Sequence, residues 1–494
     1  MNMMRKALGW IVVLFLTMTT WAAPSGRPEK LALDLRQSMA SRVDQRVIIT
    51  YAPGTDDQTV ETFAAPGGRS VKRFSGSPSL AASMSPRDIE ALTRDPRIVS
   101  ISPDRKITAT MDIAVPTIGA DRLARYFGYS GSGVTIAVVD SGITPSAAVP
   151  SRRLLASVDF TDAPSNRDEF GHGTHVGSTI GGSGAQGSVR GVAPGASLVS
   201  LRVLDANGQG YVSSVIAAID WAIEHKNRYG IRILNLSFGH PPAESYETDP
   251  LAHAVERAWA AGLVVVTSAG NRGRDGHFTI NSPGNDPYVL TVGAMNDLNT
   301  ADRGDDIVTT YSSKGPSMGD HILKPDLVAP GNRIVSTLAP GSTLERLYPD
   351  RVVAKGRIEL SGSSMATAVV SGAIAILLER NASLTPDQIK AILLYSADRL
   401  PSADRFTVGA GYLNLVHATA MTAKFRAVRF NSASPVVHRN AVGGFTLTRI
   451  RPLRAQDTTV ASATAVWGDT AVWGDTAVWG DTAVWGDTIL GSGD

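Results

Sequence analysis

The chain of 494 residues contains no cysteine. Disulfide bonds, thiol catalysis and cysteine-ligated zinc sites are therefore excluded, and so is a lipid anchor on a cysteine. The net charge is only +2, and the lysines and arginines form no long basic block, so binding to nucleic acid has little support. Hydrophobic residues make up 43% of the chain, which is enough for a core packed without disulfides.

Long apolar runs are also scarce, and the most evident one lies at the N-terminus. Arg5 and Lys6 precede an apolar stretch over residues 7–18, and Ala22 provides a small residue suited to cleavage. This order predicts a secretory signal peptide over residues 1–23. The run is too short to favour a transmembrane span, so we expect a secreted protein with no membrane span after cleavage. An uncleaved membrane anchor is the alternative.

Residues 24–111 predict a small α+β domain. Residues 46–51 alternate like a strand, and residues 97–103 form a second candidate strand. Residues 56–65 predict a short helix. Ser85 precedes a proline, which is typical of a helix N-terminus.

Between residues 131 and 418, continuous apolar runs alternate with helical patterns. Buried strands are predicted over 134–139, 197–204, 231–236 and 263–267, and helices over 212–225 and 250–261. This alternation predicts an α/β fold, with a three-layer, mostly parallel sheet and helices on both faces. Active sites of such sheets lie at the carboxyl ends of strands, where Asp140 and Asn271 are expected.

Three separated segments carry the groups of one nucleophilic site. They are VVDSG at 138–142, GHGTHV at 171–176 and GSSMAT at 362–367. A serine hydroxyl becomes nucleophilic when a histidine takes its proton, and a carboxylate orients that histidine. Alone, each residue has an ordinary structural explanation, such as a helix cap or a turn. The three catalytic candidates, in a known triad order, are Asp140, His172 and Ser364.

Together these motifs resemble the subtilisin-like serine protease family, over roughly residues 131–418. The resemblance implies a secreted serine endopeptidase that forms an acyl-enzyme and is made as an autoprocessed zymogen. Residues 24–111 would be the inhibitory propeptide, which assists folding, and residues 112–428 the catalytic domain. Of the two histidines in the second motif, His172 would be catalytic and His175 structural.

The resemblance also assigns groups that contact the substrate, which would be a protein or peptide. The side chain of Asn271 and the backbone N–H of Ser364 would form the oxyanion hole. The segments 208–210 and 237–239 would pair with an extended peptide on its two sides. Residues 237–239 and 268–270 would wall the S1 pocket, with Asn281 near its floor. The implied substrate-binding residues are Gly208, Gln209, Gly210, Ser237, Phe238, Gly239, Ser268, Ala269 and Gly270. A mostly apolar pocket implies broad specificity with apolar P1 residues.

No cofactor is implied for the chemistry, and the metal ligands are unknown. Residues 181–188, where the family has a calcium site, are rich in glycine and poor in carboxylates, which argues against that site here. Four aspartates cluster elsewhere in one loop. They are Asp297, Asp302, Asp305 and Asp306. We interpret this loop as solvated, with a structural calcium site as the alternative.

Residues 429–494 form a C-terminal extension with no clear period until AVWGDT occurs four times over residues 465–488. Four copies bury too little for a self-supporting solenoid. In an extended chain the repeated aspartates and tryptophans would share one face, because the period of six is even. The aspartates are Asp469, Asp475, Asp481 and Asp487. They would bind calcium, a cell-surface partner, or nothing.

A non-enzymatic surface-binding or adhesion protein on a subtilisin-like scaffold is the alternative function. Its signature would be the loss of a triad member or of the oxyanion donor. The sequence retains all of them, so it favours the protease.

Overall fold

The computed structural model divides the chain into two compact units, Met1–Thr108 and Ala109–Asp494. The described residues, apart from isolated positions, are 43–52, 54–64, 69–73, 79–103, 111–161, 167–400, 403–423, 431–439 and 445–451. The predicted signal peptide and the AVWGDT repeats lie outside the described residues, so their roles remain predictions.

The first unit contains a four-stranded antiparallel sheet in the order β2-β3-β1-β4. Its elements are β1 Gln45–Tyr51, α1 Asp57–Ala64, β2 Arg69–Arg73, β3 Ser79–Met84, α2 Pro86–Leu92 and β4 Ile98–Pro103. Ser85 caps α2 by accepting the N–H of Asp88, as predicted. The sequence analysis missed β2 and β3, because these two strands hold few β-branched or aromatic residues.

A mostly parallel sheet forms the centre of the second unit. Its strands run in the order β11-β10-β9-β8-β5-β7-β6, and β12 pairs with β10. They are β5 Thr135–Asp140, β6 Leu154–Asp159, β7 Ser197–Arg202, β8 Ile231–Leu236, β9 Val264–Ser268, β10 Leu290–Asn296, β11 Ile307–Val308 and β12 Leu327–Pro330. Only the β10–β11 pair is antiparallel among the described pairs of this sheet. The predicted α/β fold is confirmed.

Helices cover both faces of this sheet. The described helices of the second unit are α3 Met111–Thr117, α4 Ala120–Phe127, α5 His172–Gly181, α6 Val212–Tyr229, α7 Pro250–Ala260, α8 Thr343–Leu347, α9 Ser363–Arg380, α10 Pro386–Ser396, α11 Arg405–Val408 and α12 Leu415–Met421. Helices α5 and α9 pack together and against the sheet, and α6 and α7 form a second packed pair. A small sheet contains β13 Ile334–Thr337, β14 Val352–Ala354 and β15 Arg357–Leu360.

Helix α9 is the central helix of the second unit. Every residue from Ser363 to Leu378 is buried. Within the described part of the chain it is also the single helix whose length and hydropathy would suit a membrane, and 83% of that window is buried in the structure. The sequence predicts no membrane span in this region, because small polar residues interrupt the apolar run of α9.

The beginning of the C-terminal extension packs into the second unit. Ser432 and Ser434 are fully buried, and the Leu323 N–H donates to the Pro435 carbonyl oxygen at 2.9 Å. Two strands follow, β16 Val436–Arg439 and β17 Phe445–Thr448, and they form an antiparallel hairpin. Such short strands leave no readable period in the sequence.

Buried charges connect this segment to the core. Asp326 Oδ2 lies 2.7 Å from Lys324 Nζ, its Oδ1 lies 3.2 Å from Lys390 Nζ, and all three side chains are fully buried. Ser434 Oγ donates to Asp326 Oδ1 at 2.6 Å. Burial alone would raise the pKa of Asp326, but the two ammonium groups outweigh it and hold that pKa below its ordinary value.

Replacing Asp326 by asparagine should lower the free energy of unfolding by about 3–5 kcal/mol, because it leaves the buried amino groups of Lys324 and Lys390 without their carboxylate. Urea unfolding in a Ser364→Ala background measures this loss without self-cleavage. The control is Asp220→Asn, which breaks the exposed Asp220–Arg257 ion pair and should cost about 1 kcal/mol or less. Equal losses in the two variants would contradict the prediction.

Candidate active site

Asp140 is the last residue of β5, between β7 and β8, and its side chain is fully buried. The carboxyl end of a central parallel strand is covered by neighbouring strands and helices, which explains this burial. The backbone N–H of Ser141 donates to Asp140 Oδ1 at 2.7 Å. The carboxylate therefore keeps a hydrogen-bond donor although it is removed from water.

His172 is the first residue of α5, and its ring faces Asp140. The Nδ1 atom lies 2.8 Å from Asp140 Oδ1 and 3.0 Å from Oδ2. Because a carboxylate can only accept, Nδ1 carries the proton and Nε2 keeps its lone pair. Burial lowers the pKa of His172, but the negative charge of Asp140, the hydrogen bond to Asp140 and the charge of Asp168 together outweigh burial, so the net pKa is raised.

The second histidine of the motif has different surroundings. His175 is fully buried one helical turn further on, and its Nε2 donates to the Ile334 carbonyl oxygen at 3.0 Å. Burial and the neighbouring His172 lower the pKa of His175 to about 3. A ring that stays neutral and hydrogen-bonded to the backbone is suited to a structural role.

Ser364 is the second residue of α9. The first N–H groups of a helix have no partner within the helix, and the positive end of the helix dipole lies at the same place. Ser364 Oγ donates to the Ser237 carbonyl oxygen at 2.7 Å rather than to His172. Ser237 Oγ in turn lies 3.2 Å from the Ser364 carbonyl oxygen, so the two residues are connected twice.

Asn271 follows β9 and is oriented by a residue that the sequence analysis missed. Ser363 donates to Asn271 Oδ1 from its backbone N–H at 2.9 Å and from its Oγ at 3.1 Å. Since this oxygen faces two donors, the amide NH2 group points away from them. The Gly270 N–H also donates to Ser363 Oγ, at 3.1 Å. The sequence offered one signal for this role, because Ser363 directly precedes the candidate nucleophile Ser364 in the GSSMAT motif.

The first predicted substrate-binding segment is a turn after β7. Gln209 N–H donates to Asp205 Oδ1 at 2.9 Å, and the Gly208 N–H donates to the Asp205 carbonyl oxygen at 3.0 Å. A Cβ on Gly208 would lie 2.5 Å from the Phe170 ring, so a larger residue would displace the turn. A cavity of about 440 Å³ adjoins it, lined by Thr161, Val203, Asp205, Gln209, Gly210, Tyr211 and Ser214.

The other two predicted segments lie side by side after β8 and β9. Ser268 Oγ donates to the Phe238 carbonyl oxygen at 3.3 Å, which connects them. Asn281 lies between them, because a Cβ on Gly239 or on Gly270 would come within 3.0 Å or less of its side chain. The structure thus brings together the residues expected around the S1 pocket.

The acidic loop after β10 is only partly solvated, which corrects the prediction. Asp302 and Asp305 are exposed, but Asp297 is buried and accepts the Asn299 N–H at 3.2 Å. Burial raises the pKa of Asp297 to about 6, and burial likewise raises that of Asp306 to about 6. Among the described residues no group of three or more acidic, histidine or cysteine side chains is arranged to hold a metal ion.

Comparison with known proteins identifies similar sequences. The sequence model described as the subtilase family matches residues 131–411. Serine protease AprX of Bacillus subtilis (strain 168) is 35% identical over 352 residues, which cover 69% of this chain and 79% of that protein. An alkaline protease of Alkalihalobacillus alcalophilus is 34% identical, with coverage of 71% and 81%. Subtilisin E of Bacillus subtilis (strain 168) is 29% identical, with coverage of 83% and 99%.

An NMR titration of the Ser364→Ala protein should give His172 a pKa above the ordinary 6.5, because Asp140 stabilises the charged ring. Asp140→Asn should lower that pKa. The signal is assigned by its loss in His172→Gln, and His175 should stay neutral over the same range. A pKa of His172 below 6.5 that Asp140→Asn leaves unchanged would refute the prediction.

Proposed function

Because the chain belongs to the subtilase family of serine proteases, we propose that Ser364, His172 and Asp140 are its nucleophile, general base and orienting carboxylate. The chain is a serine endopeptidase that acts on proteins or peptides, and the family needs no cofactor for this chemistry. The assignment rests on the 2.8 Å hydrogen bond between His172 Nδ1 and Asp140 Oδ1. His172 begins helix α5, which packs against α9, the helix that carries Ser364.

Acylation begins when Ser364 Oγ turns from the Ser237 carbonyl oxygen towards His172. The oxygen attacks the carbonyl carbon of the scissile bond while its proton passes to His172 Nε2. Asp140 holds the required tautomer and stabilises the imidazolium that forms. Collapse of the tetrahedral intermediate breaks the C–N bond, and His172 gives the proton to the leaving amine. The product is an ester between the acyl group and Ser364.

The oxyanion that develops needs donors already aimed at it. We propose the Ser364 N–H and the Asn271 NH2 group, and the support is that Ser363 holds the oxygen of that amide. Preorganised donors of this kind lower the barrier without reorganisation during the reaction. Water then attacks the ester, with His172 as the base, and the same donors stabilise the second oxyanion.

The substrate would bind as an extended chain between the segments 208–210 and 237–239. Backbone pairing gives affinity with little dependence on side chains, which fits broad specificity. The P1 side chain would lie between the second segment and residues 268–270. Phe238 packs against the core there, which favours an apolar P1 residue.

Residues 24–111 would act as an inhibitory propeptide, and the product would be secreted. The first proposal is supported by a separate compact unit with its own core before the catalytic part. The second is supported by the leader-like sequence at residues 1–23.

The test of the nucleophile is reaction with a fluorophosphonate probe, followed by peptide mapping. We expect labelling on Ser364, complete loss in Ser364→Ala, and full labelling in the control Ser361→Ala. Ser361 is an exposed neighbour whose Oγ only accepts the Arg333 N–H. Labelling at another serine, or none in folded and processed protein, would disprove the assignment. The absence of any labelling would favour the alternative function, a non-enzymatic surface-binding or adhesion protein.

Autoprocessing is tested by intact mass spectrometry. Purified Ser364→Ala protein should retain the segment before residue 112, because cleavage needs the activated serine. Ser361→Ala should lose it as the unmodified chain does. Clean processing of Ser364→Ala without added protease would exclude autocatalysis.

A further inference from the structure

A second carboxylate lies in the site beside Asp140. Asp168 precedes α5 in a loop and is 3% exposed. Its Oδ1 accepts from Ser141 Oγ at 2.8 Å and from the Gly171 N–H at 2.7 Å, and its Oδ2 accepts from the Thr174 N–H at 2.7 Å. Both oxygens are therefore held by donors within one small region.

These donors lie on both sides of the Asp140–His172 pair. Ser141 adjoins Asp140 and donates its N–H to it. The same serine accepts the Gly173 N–H through its Oγ at 2.9 Å. One carboxylate and one hydroxyl thus connect the end of β5 to the first turn of α5.

The first turn of α5 depends on this contact. Helix N-termini have N–H groups without intrahelical partners, which a capping side chain usually satisfies. The cap position here is Gly171, which has no side chain and a φ of 102°. Asp168, three residues earlier, supplies the missing acceptor together with a negative charge favoured at this end of the helix dipole.

We propose that Asp168 is a positioning residue for catalysis, which fixes His172 against Asp140 through the first turn of α5 and through Ser141. The inference rests on the proposed triad. Asp168 does not touch the substrate and transfers no proton. It limits the motion of the base relative to its orienting carboxylate, and such limits are what the outer partners of catalytic groups provide.

The charge of Asp168 also acts on the base. Burial lowers the pKa of His172, while Asp140 and then Asp168 raise it. Helix α5 packs against β5, β7, β13 and α9. The charged side chains on the two strands are Asp140 at the end of β5 and Arg202 at the end of β7. Arg202 is paired with two acidic side chains. Strand β13 and the buried part of α9 contain no charged residue, and α5 itself adds His175.

Asp168→Asn tests the proposal, because the amide keeps the shape but loses the charge and one acceptor. We expect kcat to fall by about ten- to a hundredfold, the range known for outer partners of metal-bound histidines, with KM nearly unchanged. The acid limb of kcat/KM should move to lower pH. Asp168→Glu, which keeps the charge, should leave the limb nearer its original position.

Two further variants separate positioning from stability. Asp387→Asn also converts a half-buried carboxylate that accepts a serine hydroxyl, but it lies in α10 against Ser432. It should lower thermal stability without moving the pH profile. Ser141→Ala should reduce kcat less than Asp168→Asn. The double variant should lose less than the product of the two separate losses, because both act on one network.

Rates are divided by the fraction of protein that the fluorophosphonate probe labels, so unfolded molecules do not count. If Asp168→Asn matched Asp387→Asn in kcat and pH profile, the positioning role would be overturned. Failure of the proposed triad is a separate result, since it would appear as unlabelled Ser364 in the unmodified chain.

Discussion

The hydrogen bond between Asp140 and His172 sets the requirements for the rest of the active site. A carboxylate with no exposed surface is costly unless donors surround it. The Ser141 N–H and the Nδ1–H of His172 supply those donors at 2.7 and 2.8 Å. Since the ring is committed to Asp140 through Nδ1, only Nε2 remains to accept a proton from the proposed nucleophile. The burial of one side chain therefore decides the tautomer, the ring orientation and the direction of proton transfer.

This bond requires the start of α5 to approach the end of β5 very closely. A Cβ on Gly173 would lie 2.1 Å from the carbonyl oxygen of Gly142, a distance that no larger residue can accept. Glycine at the third position of the GHGTHV motif thus reflects backbone contact as much as chemistry. The same approach brings Ser141 within reach of the first turn of α5, and so connects Asp168 to both elements.

A chain without cysteine must preserve this geometry by packing and buried polar contacts. Helix α9 carries Ser364 at its first turn and is buried along most of its length, so the proposed nucleophile moves little relative to the sheet. At another edge of the core, Asp326 neutralises two lysines and holds Ser434 of the C-terminal segment. Such a network substitutes for covalent cross-links, although each charge is tolerated only while its partners remain in place.

The sequence alone determined the alternation of the central strands β5, β7, β8 and β9 with helices, and the identity of the triad candidates. Apolar runs report burial, and the three motifs report chemistry. Only the tertiary structure revealed that Ser363 orients Asn271 from 92 positions away, that Ser364 Oγ donates to Ser237, and that Asp168 contacts both Ser141 and the first turn of α5. It also revealed the hairpin after residue 435. These features depend on which strands become neighbours in the sheet, and a local pattern of residues carries no information about that.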